Sequence, residues 1–179
     1  MSDSPVLIQA TVSDAYEVSR LLRSAMLTYC TDSGIPESML EALSESVESV
    51  ADRISKQICL IAKMDGKIIG TVCLKTGVNP LAYNFSDKTY EFLKDLGDSG
   101  YISRFAVDEN YRKTGIGVDL ITRASEIARD SGSEYVLLHS ASRNRKIVDF
   151  YLKRGFVLID SENSRGYSRG LFARQLDRL

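Results

Sequence analysis

Residues 101–121 read "YISRFAVDENYRKTGIGVDLI", and the fold turns on what the glycines in this stretch are for. "YISRFAV" (101–107) is a run of β-prone residues, "DENYRKT" is a polar loop, and Gly115 opens an apolar-periodic helix that runs to Ser131. Strand, loop, glycine and helix in that order bring unpaired N–H groups and the positive end of a helix dipole to one point, where phosphate oxygens bind well. Three phosphate loops compete. A Walker loop requires Gly-x-x-x-x-Gly-Lys-Ser/Thr, and no Lys-Ser or Lys-Thr follows Gly117. A Rossmann loop requires a third glycine where Leu120 stands, and it follows its strand more closely than Gly115 follows Val107. The third pattern is Arg-x-x-Gly-x-Gly, made by Arg112, Lys113, Thr114, Gly115, Ile116 and Gly117. Taken alone, a structural turn explains that string equally well.

On either side the pattern alternates between strands and helices. "VLIQA" (6–10) reads as a strand, and "SDAYEVSRLLRSAM" as a helix with Asp14 and Glu17 at capping-box spacing. A second helix is expected after Pro36, its apolar stripe formed by Leu40, Leu43, Val47, Val50 and Ile54. "QICLIAKMDGKIIGTVCLKTG" reads as a hairpin about Asp65-Gly66, the pair suited to a type I′ turn. Residues 77–100 read as an insertion with a short helix capped by Ser86. After the 115–131 helix, Gly132 stands where a left-handed cap is expected. Then follow strand "YVLLHSA" (135–141), helix 144–154, strand "FVLID" (156–160) and a last strand within "GYSRGLFARQL". This order predicts one α/β domain over residues 1–179.

Bulk properties narrow the function. The 179 residues carry 23 basic and 24 acidic side chains, a formal net charge of -1 that gives no reason to expect a nucleic-acid partner. No apolar run is long enough for a membrane span, and "MSDSPVLIQA" lacks the basic start and apolar core of a signal peptide, so a cytoplasmic protein is expected. Cys30, Cys59 and Cys73 form no CxxC pair and are expected to be reduced, apolar residues. With a single histidine, no metal site is expected.

"YISRFAVDENYRKTGIGVDLI" followed by "NRKIVDFYLKRGF" (144–156) resembles the GNAT superfamily of acyl-CoA-dependent N-acetyltransferases. Two motifs in the right order are far more specific than either alone, and the likeness is close over about residues 101 to 157. It implies a single-domain GNAT fold, with a mixed central sheet of about six to seven strands flanked by helices and a splay between the two strands that precede the cofactor helices. It also implies acetyl-CoA as co-substrate, with the pyrophosphate of coenzyme A held by the amides of Arg112 to Gly117. Gly115 and Gly117 would let the main chain approach it without a Cβ in the way. The backbone of Phe105, Ala106 and Val107 would bind the pantetheine, and a bulge there would free those groups. Asn144 matches a family asparagine that contacts pantetheine, and it also suits a helix N-cap.

Acyl transfer to an amine needs a neutral nucleophile, donors for the oxyanion and a proton for the departing thiolate. The resemblance gives the last task to Tyr151, in "DFYLKRGF". His139, the one histidine, lies where a branch of the family that acetylates protein N-termini carries a glutamate base, and an unperturbed imidazole of pKa ~6.5 suits that task. Tyr101 and Ser103, at the parity of Phe105 on their strand, rank behind it, and a strand N–H is expected to stabilise the oxyanion. Glu41, Glu45, Glu48 and Asp52 form an acidic stripe on the second helix that could attract a cationic amine, although a solvated face explains it as well. Arg143, Arg145 and Lys146 could reach cofactor phosphates or serve only solubility. The acceptor, a small-molecule or peptide amine, is open. A non-catalytic acyl-CoA-binding module is the alternative function, and homodimers, common in the family, have no marked interface here.

Overall fold

In the computed structural model, which describes residues 4–177, one seven-stranded sheet runs in the order β1-β2-β3-β4-β5-β7-β6. The strands are β1 Val6–Gln9, β2 Ile58–Met64, β3 Lys67–Val78, β4 Ser99–Val107, β5 Tyr135–Ala141, β6 Val157–Glu162 and β7 Arg169–Gln175. The helices are α1 Ala15–Ser33, α2 Glu41–Ser44, α3 Val47–Lys56, α4 Asp87–Leu93, α5 Ile116–Asp130 and α6 Arg145–Leu152. Only β4 and β5 pair in parallel, so the sheet is mixed, as the resemblance implies. Of the domain expected over 1–179, residues 1–3 and 178–179 lie outside the described residues.

Two layers of helix bury the sheet. α5 and α6 cover one face, where Leu120, Ile121 and Ala124 pack on Ile69, Val72 and Ile102. α5 lies so close that a Cβ on Gly100 would stand 2.9 Å from that of Ala128. On the other face α1 and α3 pack Val18, Leu22, Val50 and Ile54 against Ile61 and Ala106. α4 closes the far end of that face over Leu137, Ile159 and Leu171. Burial of this much apolar surface, at roughly 25 cal/mol per Å², dominates the favourable side of folding.

Local signals hold at several places. Asp65 and Gly66 both take positive φ in the β2–β3 turn, Ser86 caps α4 by accepting from the Thr89 N–H, and Gly132 is left-handed after α5. Four expectations are corrected. The capping box before α1 pairs Thr11 with Asp14, whose carboxylate accepts from the Thr11 N–H at 2.8 Å, rather than Asp14 with Glu17. The single helix after Pro36 is instead a 3₁₀ turn, α2 and α3. Glu45 turns extended (ψ 128°), and Ser46 starts a new helix by accepting from the Ser49 N–H. Cys59 and Cys73, expected as reduced, independent hydrophobes, are directly opposed across β2 and β3 with Cα atoms 4.1 Å apart, and are joined as a disulfide. The register of the hairpin causes this, because it puts both side chains at one rung on one face. Cys30 is free and buried.

The fourth correction concerns β4. Between the pairs Thr71↔Ala106 and Cys73↔Ser103, β4 holds one residue more than β3, and Arg104 absorbs it at φ 51°. This bulge inverts the side-chain alternation. Ile102 faces α5 before it and Phe105 faces α5 after it, while Ala106 faces α1. Tyr101 and Ser103 therefore do not share a face with Phe105. No helix among the described residues is long and apolar enough to cross a membrane.

Candidate active site

β4 and β5 touch only at Gly100↔Val136 and Tyr101↔Leu137 and then diverge. The expected splay is present, and it leaves the β5-facing edge of β4 unpaired from Ile102 to Val107. A strand edge with free backbone donors and acceptors binds an extended ligand as another strand would. A cleft of about 170 Å³ occupies the gap, with Phe105, Tyr151, Tyr101 and His139 among its walls.

The gap joins two different chemistries across the sheet. On the α5 side, Phe105 stacks on Phe150 with centroids 5.3 Å apart, and Tyr151 stands 6.2 Å from Phe105. Tyr151 is buried among Phe156, Phe172 and Phe105, and burial first, with Tyr29 and Tyr101 adding to it, pushes its phenol far above the ordinary tyrosine value. Burial thus favours the protonated phenol. On the opposite side, Tyr101 stacks flat on Tyr83 at 4.2 Å and meets His139 Nδ1 with its hydroxyl at 2.8 Å. Burial, and then the charges of Arg169 and Arg165, depress the imidazole to about 3, so His139 is neutral. Its Nε2 is buried without a partner among the described residues.

The glycine loop stands at the end of the gap. Residues 112–115 are exposed, Lys113 and Gly115 take φ of 64° and 99°, and Asp119 N–H returns to Gly115 O. Among the described residues the amides of Lys113, Thr114, Gly115, Ile116 and Gly117 have no partner within the protein, the arrangement that cradles an anion. A Cβ on Gly115 would meet nothing within 4 Å, so its face of the cradle is open. Gly117 differs from expectation. A Cβ there would stand 3.1 Å from the Phe105 ring, so this glycine also makes room for packing. Gly115→Val forces a β-branched residue to positive φ, at about 1–3 kcal/mol, and covers the cradle. We expect at least a tenfold rise in the Kd for acetyl-CoA by calorimetry, with an unchanged far-ultraviolet circular dichroism spectrum.

Other expected residues are placed as follows. Arg112 Nε donates to Val107 O at 3.2 Å, fastening the loop to β4. Asn144 is buried; its Oδ1 accepts from the Ile147 N–H at 3.2 Å and its Nδ2 donates to Ser33 Oγ at 3.0 Å, so its amide is used for the α6 cap and for docking α1. Lys146 pairs with Asp32 at 2.8 Å. The acidic stripe dissolves with the helix that was to carry it. Glu45 turns inward and pairs with Arg53 and with Arg104 Nε at 3.0 Å. Burial raises the Glu45 carboxyl, but these hydrogen bonds outweigh it and hold the group below its ordinary value. Glu45 thereby fixes the strained bulge residue beside the cleft.

Sequence reading missed Tyr29. From α1 its hydroxyl accepts from the Ala141 N–H at 2.6 Å and lies 3.3 Å from Ser140 Oγ, occupying β5 where that strand has left β4. Nothing in "LTYC" separates it from an ordinary helix aromatic. Arg169, also in the cleft wall, comes from a region read only as a last strand, and Arg165 from the residues just before it, to which no element was given.

A splayed β4–β5 pair, a bulge, a glycine loop on a helix N-terminus and a tyrosine in the gap define the acetyltransferase architecture that the motifs suggested. A sequence model of the Acetyltransferase (GNAT) family matches residues 20–156, and the chain belongs to that family. It is 30% identical over 101 residues to the N-alpha-acetyltransferase MAK3 of Arabidopsis thaliana, a match covering 56% of this chain and 45% of that protein. It is 27% identical over 120 residues to human N-alpha-acetyltransferase 30, covering 67% of this chain and 29% of the relative. The match thus spans less than half the length of either. The fold is that of the PaiA N-acetyltransferase from Thermoplasma acidophilum in complex with coenzyme A, with TM-score 0.73, 19% identity, and 97% and 100% of the two chains covered.

Proposed function

We propose that this chain, as one domain, transfers the acetyl group of acetyl-CoA to an α-amine by direct attack within a ternary complex. The observation that carries this reading is the gap between β4 and β5, whose walls bring Phe105 and Tyr151 of one face together with Tyr101 and His139 of the other, with Gly117 of the glycine loop packed against Phe105. A donor entering from the α5 side and an amine entering from the α1 side would meet inside it. In this reading the amides of Arg112, Lys113, Thr114, Gly115, Ile116 and Gly117 hold the pyrophosphate, and the backbone of Phe105, Ala106 and Val107 holds the pantetheine. Asn144 fixes the start of α6 beside it. A freed strand N–H polarises the thioester carbonyl. Tyr151 gives its proton to the leaving sulfur.

His139 has a narrower part than its residue type suggests. An imidazole depressed to about 3 does not retain a proton taken from an ammonium group. It acts here with Tyr101 by orienting the amine through hydrogen bonds, and the amine attacks as the free base. That favours an α-amine, whose pKa of ~7.7–8.0 makes deprotonation at pH 7 cost only about 1 kcal/mol, against about 4–5 kcal/mol for a lysine side chain. The names of the relatives, N-alpha-acetyltransferases, agree with this choice. The test compares peptides with a free N-terminus against N-terminally blocked peptides offering only lysine. At pH 7 the first should react roughly 10²-fold faster, and kcat/KM should rise with the pKa of the amine near 8. Preference for the blocked lysine peptide, or a limb near pH 6.5 that vanishes in His139→Gln, would refute it.

A further inference from the structure

The acceptor side of the gap carries a charge asymmetry that acetyl transfer itself does not require. Arg104, Arg165 and Arg169 line the cleft, and Glu41 is the one acidic residue among its described lining residues. Each arginine is tethered to an acid by a single nitrogen. Arg104 uses Nε toward Glu45 at 3.0 Å, Arg169 uses Nε toward Glu162 at 3.2 Å, and Arg165 uses Nη1 toward Glu41 at 3.2 Å. An Nε tether leaves both Nη groups free, and in Arg104 and Arg169 these have no partner among the described residues. Two Nη groups at the end of a rigid fork match the two oxygens of a carboxylate. The neighbouring acids are already committed, Glu45 to Arg53 and Arg104 and Glu162 to Arg169, so a second ammonium in the cleft would meet cations and no unpaired carboxylate. The field reaches the reacting end of the cleft, since Arg165 and Arg169 act on both His139 and Tyr101.

We propose that the acceptor is an amine carrying a carboxylate within a few bonds of the reacting nitrogen, gripped by the free Nη groups of Arg104 and Arg169, and that polycationic amines are rejected. This rests on the acetyl-transfer reading of the same site. The carboxylate has two sources, the α-carboxylate of a free amino acid or the acidic side chain of a peptide's first residues.

The experiment measures coenzyme A thiol release at saturating acetyl-CoA with methionine against methionine amide, with a Glu-initiated against a Gln-initiated peptide amide, and with spermidine. In at least one pair the carboxylate-bearing acceptor should lead by roughly 10- to 100-fold in kcat/KM, with spermidine slowest. The leading pair identifies the source. Arg169→Gln should erase that lead while the calorimetric Kd for acetyl-CoA keeps its wild-type value. Arg165→Gln, at a half-exposed side chain that folding tolerates, should reduce the lead. Thiol release in which neither pair favours the carboxylate, or in which spermidine leads, overturns this proposal and leaves acetyl transfer standing. Binding of acetyl-CoA without thiol release for any amine overturns both.

Discussion

Tyr151→Phe should lower kcat by about 10²-fold while leaving the Kd for acetyl-CoA within a few-fold of wild type, the low end of the usual range for loss of a general acid. The low end is expected because burial raises the Tyr151 phenol far above the roughly 8.5 of a thiol, so proton transfer to sulfur stays uphill even once the C–S bond has broken, and much of the effect comes from the hydroxyl's hydrogen bond to the departing thiolate. The same burial keeps the proton in place, so the pH–rate profile should show no alkaline limb from this group. Phenylalanine preserves the packing with Phe105, Phe156 and Phe172, so unfolding midpoints should barely move and the kinetic effect can be read directly. Burst experiments that follow thiolate release separate this step from product release. Unchanged turnover in the variant would remove Tyr151 from the chemistry.

Acidification should weaken the fold before any carboxylate titrates. His139 has a folded pKa of about 3, so the unfolded chain, with an ordinary imidazole near 6.5, binds the proton first. Stability is therefore fully present above pH ~6.5 and falls by up to about 1.4 kcal/mol per pH unit below it, toward the folded value. His139 is the chain's one histidine, so between pH 6.5 and 4.5 this slope belongs to one side chain and amounts to about 2–3 kcal/mol. Below that window Glu45 and Asp14, both held low by cationic partners and hydrogen bonds, add their own losses. Urea titrations at a series of pH values should show the slope in the wild type and a flat line in His139→Gln. A flat wild-type line would mean that the imidazole is hydrated and protonates normally.

The donor half of the site is legible because its information is local. Arg112 to Gly117 lie on one loop at one helix terminus, and Asn144, Tyr151 and Gly155 lie within or just after one short helix, so two short motifs suffice to carry the family resemblance that proposes their roles. The acceptor half is assembled from separate segments. Arg104, Arg165 and Arg169 acquire meaning only when the sheet brings β4 and β7 to either side of a gap, and Tyr29 reaches that gap from 112 positions away. The resemblance anticipates a bulge near Phe105 to Val107, but its place at Arg104 is illegible for the same reason. Nothing in "YISRFAV" announces a positive φ at Arg104, which is held by Glu45 from a broken helix 59 positions earlier. The unread position of that bulge inverted the faces of Tyr101 and Phe105, and one unread helix break turned an acidic stripe into an inward ion pair.

Incubation of the protein with acetyl-CoA and a panel of free-N-terminus peptides, read by mass spectrometry, tests acetyl transfer most directly. The expected result is a 42 Da gain on the α-amine matched one for one by free coenzyme A thiol (the mass of acetyl replacing hydrogen), abolished by N-terminal blocking and slowed about 10²-fold in Tyr151→Phe. Tight binding of acetyl-CoA with no acetylated product from any amine would contradict it and make the chain an acyl-CoA-binding module on the same fold.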